Sequence, residues 1–224
     1  MDKRLALEKQ KTLRISLVQV VREEYEMVLL NSIFDSSFGN KLVFRGGTAL
    51  RLAYGSPRFS DDLDFSQIGE IKEKDFREWC KKIARATPNL RLIEALRKYY
   101  TLYAKFKVLD AVLPQTIGIK VEISVRKGKW EKGKDYTLMN LKSEVTPITV
   151  MAQVASLEWI RKEKLAISPP RIRDIFDLWF IGQTLKKPVK MDFSQFKASQ
   201  VKRELHRLLP EGKQKLIETW LPKE

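Results

Sequence analysis

The chain has one cysteine, Cys80, and one histidine, His206, in 224 residues. The first scarcity excludes a disulfide framework and any multi-cysteine zinc site, and the second removes most histidine-based metal chemistry. Cys80 and His206 both fall in helical patterns and are assigned no chemistry, so any reaction rests on carboxylates and cations. Glycine (10) and proline (9) are few, which excludes collagen-like and low-complexity classes. Long hydrophobic runs are missing as well: charges break every apolar stretch, starting with Met1-Asp2-Lys3-Arg4-Leu5-Ala6-Leu7-Glu8. Neither a signal-peptide core nor a membrane span is therefore expected, and the predicted location is cytoplasmic. No G-x-x-x-x-G-K-[ST] loop occurs, which weighs against ATPase and GTPase classes.

What is present is enough to fold. Hydrophobic residues make up 43% and charged residues 32%, a composition and length that bury a sizeable core in one large or two small domains. The net charge is +15, yet the first 40 residues balance at 6 cations and 6 anions, so the surplus lies downstream. A surplus of that size favours a polyanionic partner, nucleic acid or nucleotide, over an acidic or neutral one. No repeat or Pro/Ser-rich linker divides the chain.

Apolar residues at 3–4 spacing, from Leu17 and Val21 to Leu29 and Ile33, predict a helix within residues 13–34. Leu42-Val43-Phe44 reads as a short strand leading through Gly46-Gly47 into a helix over 48–54, stopped by Gly55-Ser56-Pro57. Leu63 and Phe65 alternate with Asp62 and Asp64 as a second strand, and a helix follows near 72–86. Residues 91–109 lean to strand, and Ile119, Val121, Ile123 and Val125 alternate with polar neighbours in the cleanest strand. Beyond 150 the periodicity is helical, near 154–167, 171–185, 194–209 and 211–221. The expected fold class is α+β. A small mixed sheet flanked by helices occupies residues 1–150, and a helical C-terminal lobe, 151–224, completes a cleft.

The stretch that carries chemistry runs from Arg45-Gly46-Gly47-Thr48 to Arg58-Phe59-Ser60-Asp61-Asp62-Leu63-Asp64-Phe65. Glycines between a strand and a helix let the backbone approach a ligand, and amides at the helix start, with the Thr48 hydroxyl, suit a phosphate. Asp62 and Asp64, at i and i+2 on a strand, put two carboxylates on one face, where a hard cation such as Mg²⁺ or Mn²⁺ would relieve their repulsion. Glu122, on the polar face of the cleanest strand, is the candidate third metal ligand. Such a set serves in-line transfer from a triphosphate. Arg58 and Ser60 flank the carboxylates within reach of phosphate. Arg126, Lys127, Lys129, Trp130, Lys132 and Lys134 form a basic run with an aromatic, suited to gripping an RNA backbone.

The Gly-Gly-Thr helix start followed by Ser-x-Asp-Leu-Asp-Phe resembles the nucleotidyltransferase motif of the DNA polymerase β-like superfamily, in the form carried by the AbiEii/AbiGii toxin family. A later stretch, Leu157-Glu158 through Lys164-Leu165-Ala166 and Arg173-Asp174-Ile175-Phe176-Asp177-Leu178, resembles that family's helical motifs. The resemblance implies an Mg²⁺-dependent transferase moving NMP from an NTP to an acceptor hydroxyl. Gly46, Gly47 and Thr48 would then hold the triphosphate, Asp62 and Asp64 bind metal, and Lys164 contact phosphate. Asp174 and Asp177 would serve the nucleotide or acceptor side, with Asp174 and Lys164 facing the cleft. It also implies a toxin with a tRNA 3′ end as acceptor and a possible antitoxin partner. Two other functions remain open on the residues alone: transfer to a small molecule or a protein side chain, and a non-catalytic RNA-binding module.

Overall fold

The computed structural model describes residues 1–189 and 191–222. Lys190 and the last two residues of the expected lobe lie outside them. The chain opens with α1 (Lys3–Leu13) and α2 (Leu17–Phe34), where the sequence predicted one helix from residue 13. The break has a local cause: Arg14 is left-handed at φ 53, and Ser16 starts α2 with a capping box closed by Gln19.

β1 (Leu42–Arg45) runs directly into α3 (Gly46–Tyr54), and β2 (Asp62–Gln67) returns to α4 (Glu73–Ala86). The strand-leaning region is a hairpin, β3 (Leu90–Lys98) and β4 (Thr101–Val108), followed by β5 (Ile117–Ser124), the cleanest alternation. β6 (Tyr136–Leu141) and β7 (Val150–Ala155) had no counterpart in the sequence reading. Four helices follow: α5 (Leu157–Leu165), α6 (Ile172–Thr184), α7 (Ala198–Leu208) and α8 (Glu211–Glu218).

The strands form one mixed seven-stranded sheet in the order β3-β4-β5-β2-β1-β7-β6. β2 lies antiparallel to β1 and parallel to β5, so Asp64 stands opposite Arg45 on one side and Glu122 on the other. Alternation divides the sheet's two faces. On one, Phe44 and Phe65 meet at 5.2 Å between centroids, Phe34 of α2 packs on Phe65, and Trp79 of α4 packs edge-on to Phe106. On the other, Val43 joins Leu50 of α3, Leu157 and Ile160 of α5 and Ile181 of α6 in a smaller apolar cluster. The C-terminal helices have a separate nucleus, in which Ile172, Ile175 and Phe176 of α6 meet Val201 and Leu205 of α7 and Ile217 of α8. The sheet extends through β7 to Ala155, and the helical pattern begins only after it. Among the described residues no helix is long and apolar enough to cross a membrane.

Phe65 carries the inward face of the strand whose outward face holds Asp62 and Asp64, and it is fully buried. Phe65→Ala is expected to cost about 3–5 kcal/mol, read as a lower urea midpoint at unchanged slope. A loss under about 1 kcal/mol contradicts this account of the core.

Candidate active site

Gly46 has φ +81, a conformation that L side chains resist. A Cβ there would lie 2.5 Å from Asp64 Oδ2, and a Cβ on Gly47 would lie 2.4 Å from Arg58 Nη2 and 2.7 Å from Ser60 Oγ. The two glycines therefore let the start of α3 press against the carboxylate strand. No side chain caps this helix, so its first amides are left for another acceptor. Thr48 acts differently from expectation. Its hydroxyl donates to the Asp62 carbonyl at 2.6 Å, it is fully buried, and it ties helix to strand without lining the pocket.

The pocket in front of this helix start has a volume of ≈ 310 Å³. Asp62, Asp64 and Glu122 line it with Ser60 and Arg58, and Glu163 and Lys164 reach it from α5. Three roomier clefts, at Arg51–Phe59–Lys142, along α4 and at Gln67–Arg97–Arg126, contain neither strand carboxylate. Lys120 Nζ stands 3.5 Å from Asp62 Oδ1, and Arg45 pairs with Glu163 at 3.4 Å. Burial pushes the Asp64 carboxyl above its ordinary range, with Asp62 adding to the push and Arg45 opposing it. Burial, then Asp64 and Asp62, raise Glu122 in the same way.

This is the donor set of a hard divalent cation: oxygen ligands whose mutual repulsion a cation would relieve. The register places Glu122 beside Asp64 across the β2–β5 pair. Yet among the described residues no three carboxylate, histidine or cysteine side chains are gathered closely enough to hold a metal ion as they stand, so the expected triad is not drawn together.

Behind the pocket lies a buried charge network. Lys164 Nζ sits 2.7 Å from Asp174 Oδ1 and 2.7 Å from Asp177 Oδ2. Arg58 clamps Asp177 with two bonds, 2.8 and 2.9 Å, and Arg171 holds Asp174 at 2.5 and 3.0 Å. Asp174 and Asp177 are both 0% exposed and neither lines the pocket. The expectation that Asp174 faces the cleft is corrected: both carboxylates point back from α6 to hold Lys164, Arg58 and Arg171, which do line it. Burial works against the Asp177 charge, but Arg58 and then Lys164 outweigh it and hold the carboxyl below its usual range. Asp61 is fixed in turn by Arg22 of α2 at 3.3 Å and Arg207 of α7 at 2.9 Å.

The basic run downstream of β5 does not reach the pocket. Lys127, Lys129, Trp130, Lys132 and Lys134 are absent from its walls, and Trp130 stacks on Trp159 of α5 with centroids 4.0 Å apart. Arg126 lies at the hairpin end, its guanidinium 5.5 Å from the Tyr100 ring. Four cations that sequence reasoning did not single out, Arg45, Lys120, Arg171 and Arg173, line the pocket together with Glu163. Lys120 was readable, because it shares the Glu122 face at two-residue spacing. Cys80 is buried, and burial pushes its thiol up to about 12, which fits its lack of assigned chemistry.

Amides that attract phosphate, carboxylates that attract a divalent cation and cations that neutralise a triphosphate are what nucleotidyl transfer asks of a protein. The chain belongs to the nucleotidyl transferase AbiEii toxin family of type IV toxin–antitoxin systems, whose profile matches residues 28–217. Solved structures share the fold, among them these two. MenT4, a nucleotidyltransferase toxin from Mycobacterium tuberculosis H37Rv, is 20% identical with TM-score 0.61, the match covering 91% of this chain and 68% of that one. JHP933 from Helicobacter pylori is 23% identical with TM-score 0.55, covering 85% and 74%. No curated protein sequence matches the chain.

Because the folded Asp177 carboxyl titrates below its unfolded value, its stabilisation is fully present above about pH 4 and drains away as pH falls further. Asp177→Asn leaves Arg58 and Lys164 short of a counter-charge in a buried place and is expected to cost about 3–5 kcal/mol at neutral pH. Urea midpoints measured from pH 7 to pH 3 check both points. The gap between wild type and variant should narrow as the pH falls, and a constant gap contradicts the assignment.

Proposed function

We propose that the protein is an Mg²⁺- or Mn²⁺-dependent transferase that moves a nucleoside monophosphate from an NTP to a hydroxyl of RNA, with a tRNA 3′ end as acceptor. It acts as the toxin of a pair whose antitoxin is a separate partner. The observation that carries this reading is the uncapped start of α3 set against Asp62 and Asp64 across a pocket walled by cations.

Amides of Gly46 and Gly47 donate to the triphosphate oxygens, where the helix start favours negative charge. Arg45, Lys164, Arg171 and Arg173 neutralise its oxygens, and Arg58 with Ser60 closes the wall behind Gly47. Asp62 and Asp64, with Glu122 across the strand pair, would hold the divalent cation, which supplies charge neutralisation and a more acidic acceptor hydroxyl when bound. The acceptor oxygen bonds to the α-phosphorus as the bond from that phosphorus to pyrophosphate breaks. Pyrophosphate leaves with the electron pair, and the hydroxyl proton passes to solvent. Asp174 and Asp177 position the cations and touch no substrate. The helical segment after β7 completes the cleft of the sheet-bearing core by carrying Lys164, Arg171 and Arg173 to it.

The test is incubation with each α-labelled NTP, Mg²⁺ and total tRNA, followed by a denaturing gel. Label on tRNA is expected to fall by about a hundred-fold or more in Asp62→Asn, the scale of removing one preorganised charge-stabilising group, and to vanish with chelator. Label that survives both overturns the reading. Label found only on protein or a small molecule overturns the choice of acceptor.

A further inference from the structure

The site's face of the sheet is only half covered. α3, α5 and α6 pack over Val43 and the β1–β7 side, whereas α4 covers β3 and β4 from the opposite face, through Phe106. The residues of β4 that alternate with Phe106 on the site's face are Tyr103, Lys105 and Lys107, and both lysines are exposed. Register makes this open half continuous with the pocket: Lys105 stands opposite Lys120, which stands opposite Asp62, and Tyr103 stands opposite Glu122, which stands opposite Asp64. Arg91 aligns with Lys107, and Lys98 lays its ammonium 3.6 Å from the Tyr103 ring centroid. Five cations, Arg91, Lys98, Lys105, Lys107 and Lys120, thus share a flat field with one carboxylate outside the pocket, Glu94. Only Lys120 among the five is in an ion pair with another described residue.

The hairpin tip bounding this field is unusual. Two-residue turns favour Asn and Gly, but this one is Tyr99-Tyr100. Tyr99 takes φ 41 and is 94% exposed, and Tyr100 is 60% exposed with Arg126 beside its ring. A bulky residue at positive φ that buries nothing costs stability without packing in return. Aromatic rings standing free beside a cationic field are a stacking platform for unpaired bases.

We propose that the open face of β3, β4 and β5 receives a single-stranded RNA acceptor, its backbone crossing from Lys120 beside Asp62 to Lys105, with Lys107 flanking it on one side and an unpaired base stacking on Tyr100 or Tyr99 at the hairpin tip on the other. Tyr100 lies five residues along the chain from Lys105, about 17 Å at the rise of a strand. The end nearest Asp62 and Asp64 presents the reacting hydroxyl. Single strand fits better than duplex because rings stack only on bases that are not already paired. The assignment rests on the transferase reading for the purpose of this face, but binding to it can be measured without chemistry.

The experiment is fluorescence anisotropy of a labelled single-stranded oligoribonucleotide with the full chain, over a salt series, for wild type, Lys105→Gln/Lys107→Gln and Tyr99→Ala/Tyr100→Ala. Thermal unfolding shows that each variant is folded, as expected for exposed positions. The double lysine variant is expected to flatten the slope of log affinity on log salt by about 1.4, at about 0.7 per lost phosphate contact. The double tyrosine variant should bind about five-fold or more weaker with the slope unchanged, the least expected for one lost stacking contact. In the labelled-NTP assay both should raise KM for RNA while leaving kcat near wild type. The proposal is overturned by unchanged binding in both variants, by equal competition from duplex RNA, or by loss that follows Lys129→Gln/Lys132→Gln instead. The two readings separate cleanly: RNA binding that depends on these residues without any NMP transfer keeps the binding face and removes the reaction. Transfer to RNA that ignores them does the reverse.

Discussion

The structure turns on the buried ammonium of Lys164, held between two carboxylates that belong to the next helix. An isolated charge in such a place would cost several kcal/mol at least, so neither Lys164 nor the α6 carboxylates can keep their positions alone. Arg58 and Arg171 complete the set, giving three cations to two anions. The excess positive charge faces the pocket. This arrangement is weak evidence for stability, since apolar residues of similar volume often do as well. What it does specify is geometry: α5, α6 and the segment before β2 must meet at one distance and angle, or charges are left buried and unmatched.

A second constraint acts from the opposite wall. Gly46 and Gly47 leave room for Asp64, Arg58 and Ser60 at distances no Cβ could share. Thr48 then bonds to the backbone of Asp62, so the helix start, the carboxylate strand and the arginine clamp are set relative to one another by contacts within the protein. A helix start that no side chain caps, held close to carboxylates, places opposite demands on one small volume: amides that attract anions and oxygens that attract cations. A metal-bound triphosphate meets both demands at once. Either a lone anion or a lone cation would meet only one.

Much of this was legible in the sequence, for particular reasons. The spacing of Asp62 and Asp64 placed them on one face whatever the sheet turned out to be, and the alternation in 119–126 did the same for Glu122. Gly-Gly between a strand and a helix announced a close approach. The roles of Asp174, Asp177 and Thr48 were not legible, because a helical pattern shows which residues share a side and not whether that side faces a ligand or a buried cation. β6 and β7 escaped because β7 is short and alanine-containing and pairs with β1 more than a hundred positions upstream. Local propensity does not carry pairing at that separation. The break between α1 and α2 was marked by Ser16 and Gln19 as a capping box, a signal that hydrophobic periodicity passes over.

The same sheet shows why the +15 surplus does not settle a function by itself. Part of it is consumed in the buried network, where Lys164 and Arg58 answer carboxylates, and part surrounds the pocket, where cations stand against Asp62, Asp64 and Glu122. The cations on this face of β3 and β4, Arg91, Lys98, Lys105 and Lys107, form no ion pair with a described carboxylate. They lie on the half of a face that the helices leave bare, beside a turn that spends two tyrosines where small residues are conformationally easier. A solvated surface needs neither the alignment of Lys105 with Lys120 and Asp62 nor the exposed rings. Charge that is in register with the reacting carboxylates and ends in exposed aromatics has the form of a path leading to the site, and net charge alone could never have distinguished it from a coating.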